Sequence, residues 1–146
     1  MTRRVINWCL AVCFLLTVPF ITQAQQVDGG VIVDSLSGAP GDHTRGRLIV
    51  VSRQSGLCIL CHSGPFPEER FQGNLAPDLA ASSARLSEGQ LRARVVDASR
   101  FNPDTIMPPY FKTEHAARIA PQFANKTILT AQEIEDVVAF LVSLKQ

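Results

Sequence analysis

The chain has few of the residues that cross-link or fill a small protein: four cysteines, two methionines, one tryptophan and one tyrosine among 146 residues. It has no continuous basic run, so nothing indicates a nucleic-acid partner or an anionic membrane surface. Its one long apolar run, residues 8–21, falls short of the ~20 residues that a membrane span needs. The short apolar run therefore argues against a membrane anchor, and the length of the chain suits one domain.

The first 24 residues have the pattern of a cleaved secretory signal peptide. Two arginines precede the apolar run, and Ala24 ends a plausible cleavage site. Cleavage leaves 12 of the 14 basic residues against 13 acidic ones, and it removes the tryptophan and two of the cysteines. We therefore expect a periplasmic protein with no membrane anchor after cleavage. Residues 25–41 are rich in glycine and are expected to form a flexible N-terminal extension, and residues 42–146 form one domain.

The two remaining cysteines stand in the pentapeptide Cys58-Ile59-Leu60-Cys61-His62. This C-x-x-C-H pattern is the attachment sequence for c-type haem. Cys58 and Cys61 can form thioethers with one porphyrin, and His62 can ligate its iron. A zinc ribbon would need a second ligand pair at short spacing, and a thioredoxin-like site would need a βαβ pattern around it. The sequence has neither, so we predict a cytochrome c domain with one covalent haem c.

Met107 is the candidate for the second iron ligand. Once the signal peptide is removed it is the only methionine, and Pro108 holds it in an extended segment. A thioether on a rigid loop is a usable axial ligand that raises the reduction potential. Two alternatives remain open: Met107 only fills a gap in the core, or His115 is the ligand. His43 precedes the motif and is expected on the solvated surface.

Three helices are predicted around this motif. The first is capped by Asp42 or Thr44 and runs toward Gln54. Its Val-Ile-rich run could instead be a strand, but its position just before the haem motif favours a helix. The second opens with a capping box at Ser87, turns Leu91 and Val95 inward and Arg92 and Arg94 mostly outward, and ends near residues 102–103. The third opens with a capping box at Thr130 and carries an apolar face. That face comprises Ile134, Val137, Val138, Leu141 and Leu144.

Between the haem motif and the second helix, residues 63–84 read as an irregular loop. Its Pro77 is placed where a carbonyl could fix the imidazole of His62, although a proline that merely bends the loop is equally consistent. The arginines of residues 85–118 could pair with haem propionates or attract anions, or they could form an ordinary solvated face. The order of elements resembles a class I cytochrome c, a mostly α fold with covalently bound haem.

Four stretches resemble one family more closely. Residues 56–73, 86–92, 105–110 and 129–138 are similar in sequence and order to SoxX, and the EERFQG sequence at 68–73 is the most specific of them. The resemblance implies the monohaem electron-transfer subunit of a SoxAX heterodimer that couples thiosulfate to a cysteine of the SoxY–SoxZ carrier. The catalytic cysteine of this L-cysteine S-thiosulfotransferase is then expected on SoxA, and no residue of this chain is catalytic.

The resemblance also implies roles for the four candidate residues. Cys58 and Cys61 would hold the thioethers, His62 would be the proximal ligand and Met107 the distal one, with electrons passing on to a downstream acceptor. The alternative is a free soluble class I cytochrome c that shuttles electrons between periplasmic enzymes. A haem sensor or peroxidase is a third class, and it would need a vacant or labile sixth position on the iron.

Overall fold

A computed structural model describes residues 30–113 and 124–145, and the secondary structure of those residues is helical. The helices are α1 (His43–Val51), α2 (Leu79–Ser83), α3 (Glu88–Val96) and α4 (Ala131–Ser143), with short 3₁₀ helices at Cys58–Leu60 and Ala98–Arg100. Neither described range contains a β-strand, and none of their helices is long and apolar enough to span a bilayer. The predicted signal peptide and His115 lie outside the described residues. The mostly α prediction is confirmed.

The three long helices begin where the sequence predicts. The Asp42 carboxylate accepts hydrogen bonds from the backbone N–H groups of Thr44 and Arg45 and thereby caps α1. Ser87 and Thr130 each form a capping box with the residue three positions later, which opens α3 and α4 respectively. These side chains satisfy N–H groups that have no partner within the helix, and this fixes where each helix starts.

Two of the predicted boundaries were wrong. Helix α3 ends at Val96 rather than near residues 102–103, because Asp97 is extended (φ −160°) and caps the following 3₁₀ helix through Ser99 N–H. The segment predicted as an irregular loop contains the short helix α2. The Asp78 carboxylate accepts a hydrogen bond from Ala81 N–H and starts that helix.

Helices α1 and α4 cross closely because α1 and its approach carry glycines. A Cβ on Gly46 would lie 1.9 Å from the carbonyl oxygen of Asp136, and one on Gly41 would lie 2.0 Å from that of Glu135. Hydrogen bonds also join the two helices at this crossing. The Asp136 carboxylate accepts them from Asp42 N–H at 2.8 Å and from Arg45 Nε at 2.7 Å. The two helix backbones are therefore so close at this crossing that no residue larger than glycine fits at positions 41 and 46.

The predicted apolar face of α4 forms the centre of the core. Of the five residues predicted there, four are buried and Leu144 is partly buried: Ile134, Val137, Val138, Leu141 and Leu144. Leu91 and Val95 of α3 point inward as expected. Phe140 stacks on Phe66, with ring centroids 5.9 Å apart. The core is thus built from α1, α3, α4 and the loop that follows the haem motif.

Arg92 is the one clear error in the predicted faces. It was expected to point outward, yet it is only 3% exposed. Its guanidinium donates to the Glu135 carboxylate (Nη2 to Oε2, 2.9 Å) and to the carbonyl oxygen of Ile32 at 2.8 Å. Glu135 also accepts a hydrogen bond from Leu36 N–H at 2.9 Å. This buried ion pair joins α3, α4 and the segment before α1, so Arg92 cannot attract anions from solvent.

Candidate haem site

The haem motif folds as one tight 3₁₀ turn. The N–H groups of Cys61 and His62 both donate to the Cys58 carbonyl, at 3.1 and 2.9 Å. Leu57, just before the turn, adopts a left-handed conformation (φ 59°) that reverses the chain as it leaves the α1 region. The turn brings both cysteines and the histidine onto the wall of one cavity.

The ring of His62 is oriented by a backbone carbonyl. Its Nδ1 lies 2.6 Å from the carbonyl oxygen of Pro77, as the sequence suggested. A carbonyl oxygen can only accept, so Nδ1 carries the proton and Nε2 keeps a free lone pair. Two backbone bonds hold the proline segment against the motif: Ala76 N–H to Cys61 O and Leu79 N–H to Ser63 O, each 2.9 Å. The imidazole is therefore held in an orientation that leaves Nε2 free to bind a metal.

The loop that carries Met107 is held by the end of α3. Its N–H donates to the hydroxyl of Thr105 at 3.2 Å. Three residues later, Tyr110 N–H donates to Val95 O at 3.4 Å, and the Tyr110 carbonyl accepts from Leu129 N–H at 3.1 Å. The Tyr110 hydroxyl also donates to Gly56 O, just before the haem motif. The loop of Met107 is thus fastened to both α3 and the motif.

All four predicted residues, Cys58, Cys61, His62 and Met107, line a single cavity of about 560 Å³. Its inner wall comes from the core helices and includes Val50, Val95, Val137 and Leu141. Its outer rim carries three exposed apolar side chains: Leu60, Leu75 and Ile106. The volume is in the range of cofactor sites, and the walls are mostly apolar with a few polar atoms.

Burial keeps two polar groups of this cavity neutral, the Cys58 thiol and the Tyr110 phenol. It raises the pKa of the Cys58 thiol to about 11, and it raises the pKa of the Tyr110 phenol as well. Desolvation disfavours the charged form of each group and is the largest cause in both cases. At pH 7 the cavity therefore presents a thiol and a phenol rather than their anions.

A c-type haem fits this donor set. The cavity offers two thiols on one turn, an imidazole nitrogen with a free lone pair, and a thioether from another segment. A bare metal ion would find no comparable site, because no group of three or more histidine, cysteine or acidic residues in the described ranges could hold one. His43 is exposed on α1. The described structure gives the zinc alternative no support.

Comparison with known proteins agrees with this geometry. No protein-family model and no curated protein sequence matches the chain. Among solved structures, the crystal structure of SoxXA from P. pantotrophus matches with 38% sequence identity and a TM-score of 0.73, over 80% of this chain and 91% of that one. The chain belongs to the SoxX family. The resemblance in sequence and the class I cytochrome c-like fold are both confirmed.

Two residues of this SoxX-family site were not anticipated. Tyr110 stands in the quoted stretch 105–110, but no sequence pattern shows that its hydroxyl reaches Gly56, 54 positions earlier. Ser83 is fully buried, and its hydroxyl has no hydrogen-bond partner among the described residues. It lines a second cavity of about 390 Å³ beside the first, and His62, Pro77 and Met107 belong to both walls. A lone serine in a polar loop carries no sequence signal for such a position.

Proposed function

We propose that this protein is a monohaem c-type cytochrome that accepts electrons within a SoxAX complex. One observation carries the proposal: two cysteines, a histidine with a preset ring and a methionine line the same apolar cavity. Cys58 and Cys61 would hold the haem by thioethers. His62 Nε2 and Met107 Sδ would ligate its iron.

A haem bound in this way supplies one-electron transfer at a six-coordinate iron. The chain's own residues would keep that centre fixed between the two redox states. The Pro77 carbonyl holds the His62 ring through the proton on Nδ1, and the core helices exclude water from the inner wall. A rigid, dry site has little to rearrange when the charge changes, which suits a relay rather than a site of bond chemistry.

The reaction served would be the oxidative joining of thiosulfate to a carrier cysteine. The terminal sulfur of thiosulfate forms a disulfide bond with the cysteine sulfur, the thiol proton is released, and two electrons leave. A single haem accepts one electron at a time, so the pair is passed on in two transfers or shared with another centre. After both thioethers form, the mature chain has no cysteine left to act as a nucleophile.

The proposed partners follow from this role, since a chain that only transfers electrons needs another subunit to perform the sulfur chemistry. The matching structure is a complex, SoxXA, and we propose that this chain pairs with a SoxA-like subunit whose cysteine performs the sulfur chemistry. SoxY–SoxZ would dock transiently as the carrier, and a separate acceptor would take the electrons onward. Location belongs to the same proposal: residues 1–24 would direct export to the periplasm and be cleaved, leaving an extension at 25–41 and a cytochrome domain over 42–146.

The test is to purify the tagged, haem-matured protein from thiosulfate-grown cells. The proposal expects one haem per chain that survives denaturation, an N-terminus near residue 25, and a larger cytochrome in equal amount. Thiosulfate should reduce the haem only when that partner and the carrier are present. Cys58→Ala and Cys61→Ala should each lose a thioether, whereas His43→Ala, a change of an exposed histidine outside the cavity, should keep both.

Other outcomes would contradict specific parts of the proposal. A monomer that any donor reduces equally well would show a free electron shuttle instead of a SoxAX subunit. Carbon monoxide binding to the reduced protein at neutral pH would show an open sixth position, as a sensor or peroxidase needs. A chain that retains no haem after denaturation would refute covalent attachment.

A further inference from the structure

The second cavity differs in character from the haem cavity beside it. It has a volume of about 390 Å³ and is lined by residues of α2, α3 and α4. The haem-site residues His62, Pro77 and Met107 form one of its sides. Anything bound between His62 and Met107 therefore borders this second space as well.

Ser83 presents an unpaired hydroxyl to this space. The residue is 0% exposed, it lines the second cavity, and its Oγ has no hydrogen-bond partner among the described residues. A buried hydroxyl without a partner is costly and rare in native proteins. It implies that something else supplies the missing acceptor.

Two arginines line the same cavity, and neither is neutralised. Arg85, which is exposed, and Arg94, which is partly buried, form no ion pair with a carboxylate in the described part of the chain, whereas Arg92 and Arg100 each have one. Arg94 donates only to the Gln90 carbonyl, at 3.3 Å, and lies over the Phe101 ring, 4.3 Å from its centroid. The residues that line the cavity include no aspartate or glutamate. The cavity thus offers cations and a hydroxyl to an absent anion.

We propose that this cavity binds the propionate carboxylates of the haem through Ser83, Arg94 and Arg85. The inference rests on the proposed function, since it requires a haem between His62 and Met107. A carboxylate would accept from the Ser83 hydroxyl and from the guanidinium donors, which explains the unpaired atom and the unpaired charges together. The haem would then enter with its propionate edge toward α2 and α3, and its thioether edge would lie at Cys58 and Cys61.

The test compares three holoprotein variants with the native protein. Ser83→Ala removes the hydroxyl, Arg94→Gln removes the charge, and Arg100→Gln removes an arginine of the same region that does not line the cavity. Resonance Raman spectroscopy would report the propionate bending band, and redox titration would report the midpoint potential. We expect the band to shift in Ser83→Ala and Arg94→Gln. We also expect a lower potential in Arg94→Gln, because an uncompensated carboxylate favours ferric iron, and no change in Arg100→Gln.

The outcomes separate this inference from the proposed function. If the native protein retains no covalent haem, the proposed function fails. If Ser83→Ala and Arg94→Gln retain haem with the native band and potential, the inference alone is overturned. A small anion from solution could use the same donors, so the native holoprotein is also titrated with thiosulfate and with sulfate. A saturable spectral change that Arg94→Gln abolishes would assign the cavity to a free anion and overturn the propionate assignment.

Discussion

At the scale of single residues, Met107 tests whether the sixth position of the proposed haem iron is closed to added ligands. We expect Met107→Ala to abolish the weak far-red absorption band of sulfur bound to ferric iron, to lower the reduction potential and to allow carbon monoxide to bind. The matched control is Ile106→Ala, which removes an exposed side chain from the same loop. If Met107→Ala keeps the band, another ligand occupies the position, and the assignment is wrong.

Tyr110 tests a contact that only the fold creates. The phenol is buried and donates to Gly56 O across 54 positions of sequence. Tyr110→Phe leaves that carbonyl with only the weak Cys58 Sγ donor at 3.3 Å, a bond that thioether formation would remove. Such a loss typically costs about 1–3 kcal/mol of folding free energy. Denaturant unfolding of the holoprotein measures it, with Phe71→Leu, an exposed ring, as the control. Equal stability of the two variants would show that water replaces the phenol.

At the scale of helices, the buried pair of Arg92 and Glu135 should dominate the packing of α3 on α4. Arg92→Met leaves the Glu135 carboxylate buried and uncompensated, and we expect a loss of about 3–5 kcal/mol in the free energy of unfolding. Arg100→Met, which breaks only a looser contact to Asp97 at 3.8 Å, should change it little. The double change Arg92→Met with Glu135→Leu should recover much of the lost stability. If it does not, the buried charge of Glu135 is not the cause of the loss.

The crossing of α1 and α4 should also make the fold sensitive to acid. The hydrogen bond from Arg45 lowers the pKa of Asp136, with further help from Asp42 N–H and Gln132. A carboxyl with a lowered folded pKa stabilises the fold above its unfolded pKa, about 3.9, and this stabilisation disappears as pH falls through the folded value. We therefore expect Asp136→Asn to lose less stability than the native protein between pH 6 and pH 3. An equal loss in both would place the acid sensitivity elsewhere.

These elements also show what sequence can predict. Capping boxes and the α4 face are local patterns, so the starts of α3 and α4 and the burial of Ile134 were predictable. The C-x-x-C-H motif located the site for the same reason. The burial of Arg92 was not predictable, because its partner lies 43 positions away and the local pattern shows only a charge on a helix. The unpaired hydroxyl of Ser83 depends in the same way on how three helices meet.

At the scale of the whole molecule, the described core surrounds a cavity that the proposed haem would fill. A cavity of about 560 Å³ opens directly onto core residues of three helices, and a small domain has little apolar area to spare. We expect protein made in cells that cannot attach haem to melt at a much lower temperature, with weaker cooperativity and lower helical content by circular dichroism. Matching melting curves for the two forms would mean that the helices pack without the haem.

The bond from His62 to the Pro77 carbonyl has a consequence for how this protein can change. The acceptor belongs to the main chain, so replacing the side chain at position 77 leaves the oxygen in its place. The orientation of the His62 ring therefore depends on the path and length of residues 63–77 more than on the side chain at position 77. A change of side chain at position 77 should keep the orientation of the His62 ring, whereas an insertion or deletion in residues 63–77 would rotate that ring. Phe66 in the same segment is buried and a Cβ on Gly73 would lie 2.2 Å from the carbonyl oxygen of Leu60, so packing limits those two positions as well. The length of this segment therefore limits how the sequence can change around the proposed haem site.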